Sequence, residues 1–177
     1  MSSAFRVYTG KYGQPSRISE YVSREGPRIL VYKWDEEKTN EGVTMYATDG
    51  ASEVLGTGER SCEFFLGLTP AVDDIVEALA EVAMDGNGTG QIPSSGDSIT
   101  LAFDLWRGTQ MRSFLFTDGS ELIPSHLETS KRIDFIQLVP LFASELEFKS
   151  AHGEAALWER FKAKTVPYWD STRVSAI

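Results

Sequence analysis

Apolar positions along the chain change their spacing repeatedly, and each change marks an element. Residues 4–12 fit no single period and allow at most a fragment of helix before Gly13-Gln14-Pro15 breaks the chain. "SRISEYVS" (16–23) sets Ile18, Glu20 and Val22 against Ser19 and Tyr21, the alternation of a strand. Glu25-Gly26-Pro27 reads as a turn. "RILVYKW" (28–34) and "VTMYATD" (43–49) are β-branched and aromatic, so they read as two strands of a hairpin whose long charged tip is "DEEKTNEG" (35–42). The glycine-rich run 50–60 reads as a loop and "SCEFFLGL" (61–68) as a buried strand.

The clearest helical period lies at 70–84. Thr69 can cap, Pro70 can take the first helical position, and Asp73 and Asp74 suit the positive end of the dipole. Val72, Ile75, Val76, Leu79, Val82 and Ala83 then share one face. A glycine- and serine-rich loop (85–97) follows. "SITLAFDLW" (98–106) and "QMRSFLF" (110–116) read as a second hairpin around Arg107-Gly108-Thr109. Residues 117–132 read as irregular and "IDFIQLVPL" (133–141) as a strand.

Two short helices and an aromatic tail complete the chain. Ser144 and Glu147 have the spacing of a capping box, and His152-Gly153 reads as the end of that first helix. Strands and helices mix without regular β-α alternation. The expected fold is therefore α+β, a mixed and largely antiparallel sheet packed with helices. The chain shows no internal repeat and no linker, so residues 1–177 read as one domain.

Composition narrows the function classes. The chain has 177 residues, 41% of them hydrophobic and 11% aromatic, which suits a globular domain with one sizeable core. No apolar run reaches the roughly 20 residues of a membrane span, and the start lacks the pattern of a signal peptide. A single cysteine, Cys62, cannot form an internal disulfide; a reducing, cytoplasmic address is expected. The net charge of −9 repels nucleic acid and anionic membranes and attracts basic proteins.

Candidate chemistry is sparse. A zincin needs two histidines four apart with a glutamate between; here His152 and His126 are far apart in sequence. Glu145, Glu147, His152 and Glu154 all have helix-terminal roles open to them. "DGNGTGQI" (85–92) begins like a calcium loop, but Gly96 stands where the twelfth-position acid belongs. It also lacks the lysine of a phosphate-binding loop. Ser52 follows a strand with no neighbouring histidine to act as base, and Cys62 in an apolar strand reads as a core thiol. No catalytic residue, cofactor or metal ligand emerges.

"VPLFASELEFKSAHGEAAL", starting at Val139, resembles the C-terminal signature of the suppressor-of-fused family: a strand ending in Pro-Leu, an E-L-E-F helix, then His-Gly and a leucine-bearing helix. "GKYGQPSRISEY" is similar to the family's N-terminal segment. "ILVYKW…GVTMYATDGASE" is similar to its strand, loop, strand and T-x-G-x-S turn, with Thr48-Asp49-Gly50-Ala51-Ser52 in that place. Order and spacing agree over roughly residues 8–162, while 85–132 contributes no motif. The resemblance implies a compact α+β fold that binds protein and is not an enzyme. In animals the domain is half of a larger protein that sequesters a transcription factor. Stand-alone bacterial members are thought to be immunity proteins against secreted toxins. The family's partner-binding residues lie outside the motifs matched here.

The leading expectation is thus a cytoplasmic immunity protein that neutralises a toxin domain, a basic one being what the charge suits. The alternatives are a regulatory or scaffold module for an endogenous protein, and an enzyme using His152 or His126 with carboxylates. For partner contact the residues chosen are the tip acids Asp35, Glu36, Glu37 and Glu41 with Trp34, Tyr168 and Trp169 as apolar anchors, since aromatics concentrate at interface centres.

Overall fold

β-Branched and aromatic residues at period two build most of this molecule. In the computed structural model, which describes residues 1–22, 26–56 and 58–177, the strands are β1 (Arg17–Val22), β2 (Arg28–Trp34), β3 (Thr44–Asp49), β4 (Arg60–Leu68), β5 (Ser98–Thr100), β6 (Ser113–Asp118), β7 (His126–Glu128) and β8 (Lys131–Leu141). They form one sheet in the order β1-β2-β3-β4-β8-β6-β5, with β7 paired to β8 off that path. All pairs are antiparallel except β4 with β8, where Arg60 faces Arg132 and Phe65 faces Gln137 in parallel. The fold is therefore the expected α+β with a mixed, mostly antiparallel sheet. The turn read at Glu25-Gly26-Pro27 falls partly outside the described residues.

The helices are α1 (Ser3–Tyr12), α2 (Glu36–Thr39), α3 (Ala51–Val54), α4 (Ile75–Asp85), α5 (Ala143–His152) and α6 (Glu154–Ala163). They cover both faces of the sheet, and side-chain parity decides which. Ile29, Val31, Tyr46, Phe64, Leu66, Phe116 and Leu138 pack against α4, α3 and Trp106. On the opposite face, Tyr32, Trp34, Met45, Phe65 and Phe135 pack against Tyr8 and Tyr12 of α1. Farther along that face, Leu115, Val139 and Leu141 meet Leu157 and Phe161 of α6. Strand β8 supplies all three clusters, which is why it reads as an almost unbroken apolar run.

Several elements differ from the sequence reading. Residues 4–12 belong to a full helix, α1, capped by Ser2, whose Oγ accepts from the Phe5 amide at 3.0 Å. The charged tip and the loop after β3 each hold one helical turn, α2 and α3. The long helix begins at Ile75 and not at Pro70, with Asp74 at the N-cap position, and groups in 69–74 bond to other parts of the fold. The Thr69 amide donates to the Trp169 carbonyl at 3.0 Å, the Val72 amide to Tyr46 Oη at 3.0 Å, and Asp74 accepts from the Arg107 amide at 2.6 Å. Its apolar face is nevertheless the expected one: Ile75, Leu79, Val82 and Ala83 are fully buried, with Val72 and Val76 half-buried at its rim.

The second hairpin keeps only its base. Residues 101–112 leave the ladder and close on themselves through Leu101 to Arg112 and Leu105 to Met111 backbone bonds of 2.8 and 2.9 Å. Conversely, part of the irregular 117–132 run pairs as β7 and as the start of β8.

The cap of α5 is also corrected. Phe142 is its N-cap residue, and Glu145, not Glu147, reaches back to the Phe142 amide at 3.0 Å. Ser144 lies inside the helix and bonds Ser175 Oγ at 2.7 Å. A proline-leucine strand end brings the chain into the helix two residues earlier than the serine suggested.

Candidate protein-binding surface

The chosen contact residues divide sharply once placed. Trp34 is fully buried. Its ring lies 5.7–5.8 Å from those of Tyr8, Tyr12 and Tyr32, and its indole nitrogen donates to the Gly13 carbonyl at 2.9 Å. It is a core residue and offers no anchor; period-two placement next to Tyr32 on an interior strand puts it under α1. Asp35 and Glu41 are partly neutralised, by Lys33 and Lys11, each at 3.3 Å. A hydrogen bond with Ser16, together with Lys33, holds the Asp35 carboxyl below the usual carboxylate range. Glu36 and Glu37 stand exposed on the first turn of α2.

At the tail, Tyr168 is half-buried, with its ring between Trp158 at 5.6 Å and Trp169 at 5.0 Å. Trp169 is 42% exposed. The tail reaches the sheet because Thr69 bridges Asp170 directly after β4 ends. Thr44 faces Leu68 and Met45 faces Trp34, so the acidic turn after β2 and the aromatic tail beside β4 share one end of the sheet. Arg17, Lys33, Asp35 and Asp73 form a mixed ion network at the same end.

Sequence reasoning missed two buried charge sites. Glu63 is fully buried in β4. Its oxygens accept from Thr48 Oγ1 at 2.7 Å and from the amides of Gly50, Ala51 and Ser52 at 3.0, 3.3 and 2.9 Å. Burial pushes this carboxyl upward, and those donors oppose it. The T-x-G-x-S turn is thus a wrap around one carboxylate. Gly50 is required there: its φ is 126°, and a Cβ would sit 2.6 Å from the Arg28 carbonyl. A lone acid inside an apolar strand was the available signal. The second site, Glu145 with Arg173, had none, because the partners stand 28 residues apart and no local pattern joins them.

Elsewhere, a cavity of about 440 Å³ is lined by Arg60, Ser94, Ser125, Arg132 and Asp134 among others. Asp134 accepts from both arginines, at 2.7 and 2.6 Å, and from Ser125 at 2.7 Å. The loop at 85–97 folds around Asp97, which takes the Asn87 side chain and the Ser94 amide.

His152 ends α5 next to Gly153, exposed, its ring 4.5 Å from that of Phe148. His126 lies in β7 opposite Ile133. Among the described residues neither imidazole hydrogen-bonds a carboxylate, and no group of three or more His, Cys, Asp or Glu side chains is disposed to hold a metal. Cys62 is buried, and burial pushes its thiol up.

With this geometry in hand, the chain can be set beside known proteins. The model of the suppressor of fused protein family matches residues 25–174. No curated protein matches by sequence. Among solved structures, a suppressor-of-fused homolog from Neisseria gonorrhoeae superposes with a TM-score of 0.70 at 16% identity, covering 98% of this chain and 94% of that one. A chain of the Sufu-Fu complex gives 0.69 at 16% identity, covering 98% and 88%. Drosophila Suppressor of Fused gives 0.60 at 16% identity; 84% of this chain covers 42% of that protein.

Proposed function

The chain belongs to the suppressor of fused family, and from that premise we propose that it is a cytoplasmic protein-binding module that neutralises a toxin domain by direct contact, with no chemistry of its own. The observation that carries this reading is the full-length agreement with a chain solved as part of the Sufu-Fu complex, a fold used there to hold another protein. The net charge of −9 supports a basic partner and argues against nucleic acid or an anionic membrane. No helix among the described residues is long and apolar enough to cross a membrane. The contact falls at the sheet end that carries Glu36, Glu37, Tyr168 and Trp169, with Asp35 and Glu41 at its margin.

The test is capture. The purified chain is mixed with a toxin domain encoded beside its own gene, and complex formation is followed by calorimetry. Growth of cells that express the toxin is scored with and without the chain. Tight binding together with rescued growth is expected. Absence of both removes the toxin reading; binding of an endogenous regulator instead would make the chain a scaffold.

A further inference from the structure

Strand β1 stands at the end of the sheet path, and among the described residues no strand lies beyond it. Its outer side therefore offers main-chain donors and acceptors to a further strand. Natural sheets blunt such an edge with lysine, proline, bulges or inward charges. Here Ile18 and Val22, 55% and 68% exposed, flank Glu20 on one face.

That face opens onto a cleft of about 430 Å³ lined by Met1, Phe5, Ile18, Leu30, Tyr32 and Glu53 among others. Its polar base is fixed, since Asp49 accepts from Ser2 Oγ at 2.6 Å and from Tyr32 Oη at 2.8 Å. The basic side chain in its lining, Arg28, is engaged on Glu20 at 2.7 and 3.1 Å. Glu20, Asp49 and Glu53 against this guanidinium and the Met1 terminal ammonium leave the region negative by a single charge.

The apolar-acidic-apolar order on an open edge constrains what can pair with it. Residues directly opposite on neighbouring strands share a face; opposite charges there attract and like charges repel. A second copy pairing through its own β1, with Ile18 against Val22, would set Glu20 against Glu20. Two chains of net charge −9 would add to that repulsion. A heterologous strand has neither problem.

We propose that the β1 edge accepts an extended segment of a partner protein by strand addition, the segment carrying apolar, basic and apolar side chains at alternate positions. The apolar pair covers Ile18 and Val22 and enters the cleft, and the basic residue meets Glu20 with the acids of the rim. The site rests on the binding-module reading and specifies the partner's chemistry. Arg17 of β1 faces Lys33 beside the acidic turn, so one partner can reach both.

The probe is a fluorescein-labelled peptide, Thr-Val-Thr-Lys-Thr-Val-Thr, read by anisotropy. One control has glutamate for lysine; the other has the same composition with the alternation lost. The lysine peptide is expected to bind at least about tenfold tighter than either control. The Ile18→Glu/Val22→Glu variant should lose about tenfold with an unchanged thermal midpoint, and Glu20→Lys should reverse the preference between lysine and glutamate peptides. Equal binding of the three peptides, no binding at millimolar concentration, or no effect of the variants overturns the proposal. A dimer dissolved by Ile18→Glu overturns it in favour of a second copy. A toxin domain that binds wild type and the double variant equally removes the edge assignment alone. A chain that takes the peptide but no toxin keeps the edge and loses the toxin reading.

Discussion

Arg173 closes a bidentate ion pair on Glu145, its two terminal nitrogens 2.6 and 2.8 Å from the two carboxylate oxygens, with both side chains almost wholly buried. The same guanidinium donates to the Pro140 carbonyl at 2.8 Å, and Glu145 also accepts from the amides of Phe142 and Ala176. Strand β8, helix α5 and the tail thus meet at one charge pair, under the rings of Phe142 and Phe161. Arg173→Met leaves a carboxylate buried without its cation and should cost about 3–5 kcal/mol. Arg173→Met with Glu145→Leu should recover part of that, though not all, because two amides lose their acceptor. Urea unfolding followed by tryptophan fluorescence checks both; a single variant costing well under about 1 kcal/mol would mean the tail is held by packing alone.

Glu63 supports a second prediction. Glu63→Ala strands one hydroxyl and three amides in or near the core, each costing about 1–3 kcal/mol when unsatisfied. A loss of at least about 3 kcal/mol is expected, with faster hydrogen exchange at residues 50–52. Glu63→Gln should not restore the wild-type value, since its amide group would face donors. Exchange at 50–52 that does not change in Glu63→Ala would show that the turn holds itself.

How much of this was legible depends on the range of the signal. Period two in 28–34 and 43–49 and period 3.6 from Ile75 to Ala83 are local, and both elements formed where the pattern lies. The start of that helix was misplaced because 69–74 is tied to partners distant in sequence: the Thr69 amide to Trp169, the Val72 amide to Tyr46 and the Asp74 carboxylate to the Arg107 amide. The parallel pairing of β4 with β8 joins residues about seventy apart, beyond any periodicity. Trp34 looked like an interface anchor by residue type, while its alternation with Tyr32 already placed it on the covered face. The resemblance motifs fared best where they encode a physical device, as Thr48, Gly50 and Ser52 do around Glu63.

Acid should weaken the sheet at the Asp134 cluster. Burial acts to raise the Asp134 carboxyl, but hydrogen bonds from Arg60, Ser125 and Arg132 overcome it and hold the group below the usual carboxylate range. The unfolded chain then binds the proton more readily than the folded one. The stabilisation is present above the unfolded value and is lost as pH falls through the folded one. Asp134→Asn should therefore be less stable than wild type near neutrality, and the gap should narrow as pH falls below about 4. Thermal midpoints measured between neutral and acid pH decide it; a gap independent of pH would assign the effect to shape and not to charge.

The last prediction concerns the acidic turn. Of the four acids chosen there, Asp35 and Glu41 already have lysine partners, and Glu36 and Glu37 are exposed. The free charge that a basic partner senses at this end of the sheet is therefore mostly theirs. At 0.01 M salt the screening length is about 30 Å, and at 0.15 M about 8 Å. Across that range association with a basic toxin domain should slow markedly, while dissociation changes less. Glu36→Lys/Glu37→Lys should slow association most at low salt and little at high salt. Trp169→Ala acts on a different quantity: it removes partly exposed apolar surface from the bound state, so it should speed dissociation and leave association nearly unchanged. Surface-immobilised kinetics separates the two effects. Association indifferent to salt and to charge reversal, with dissociation sensitive to Trp169, would place the binding energy on the tail and reduce the acids to solvation. If none of these variants alters either rate, the contact lies elsewhere on the molecule, and the edge formed by β1 is the next surface to test.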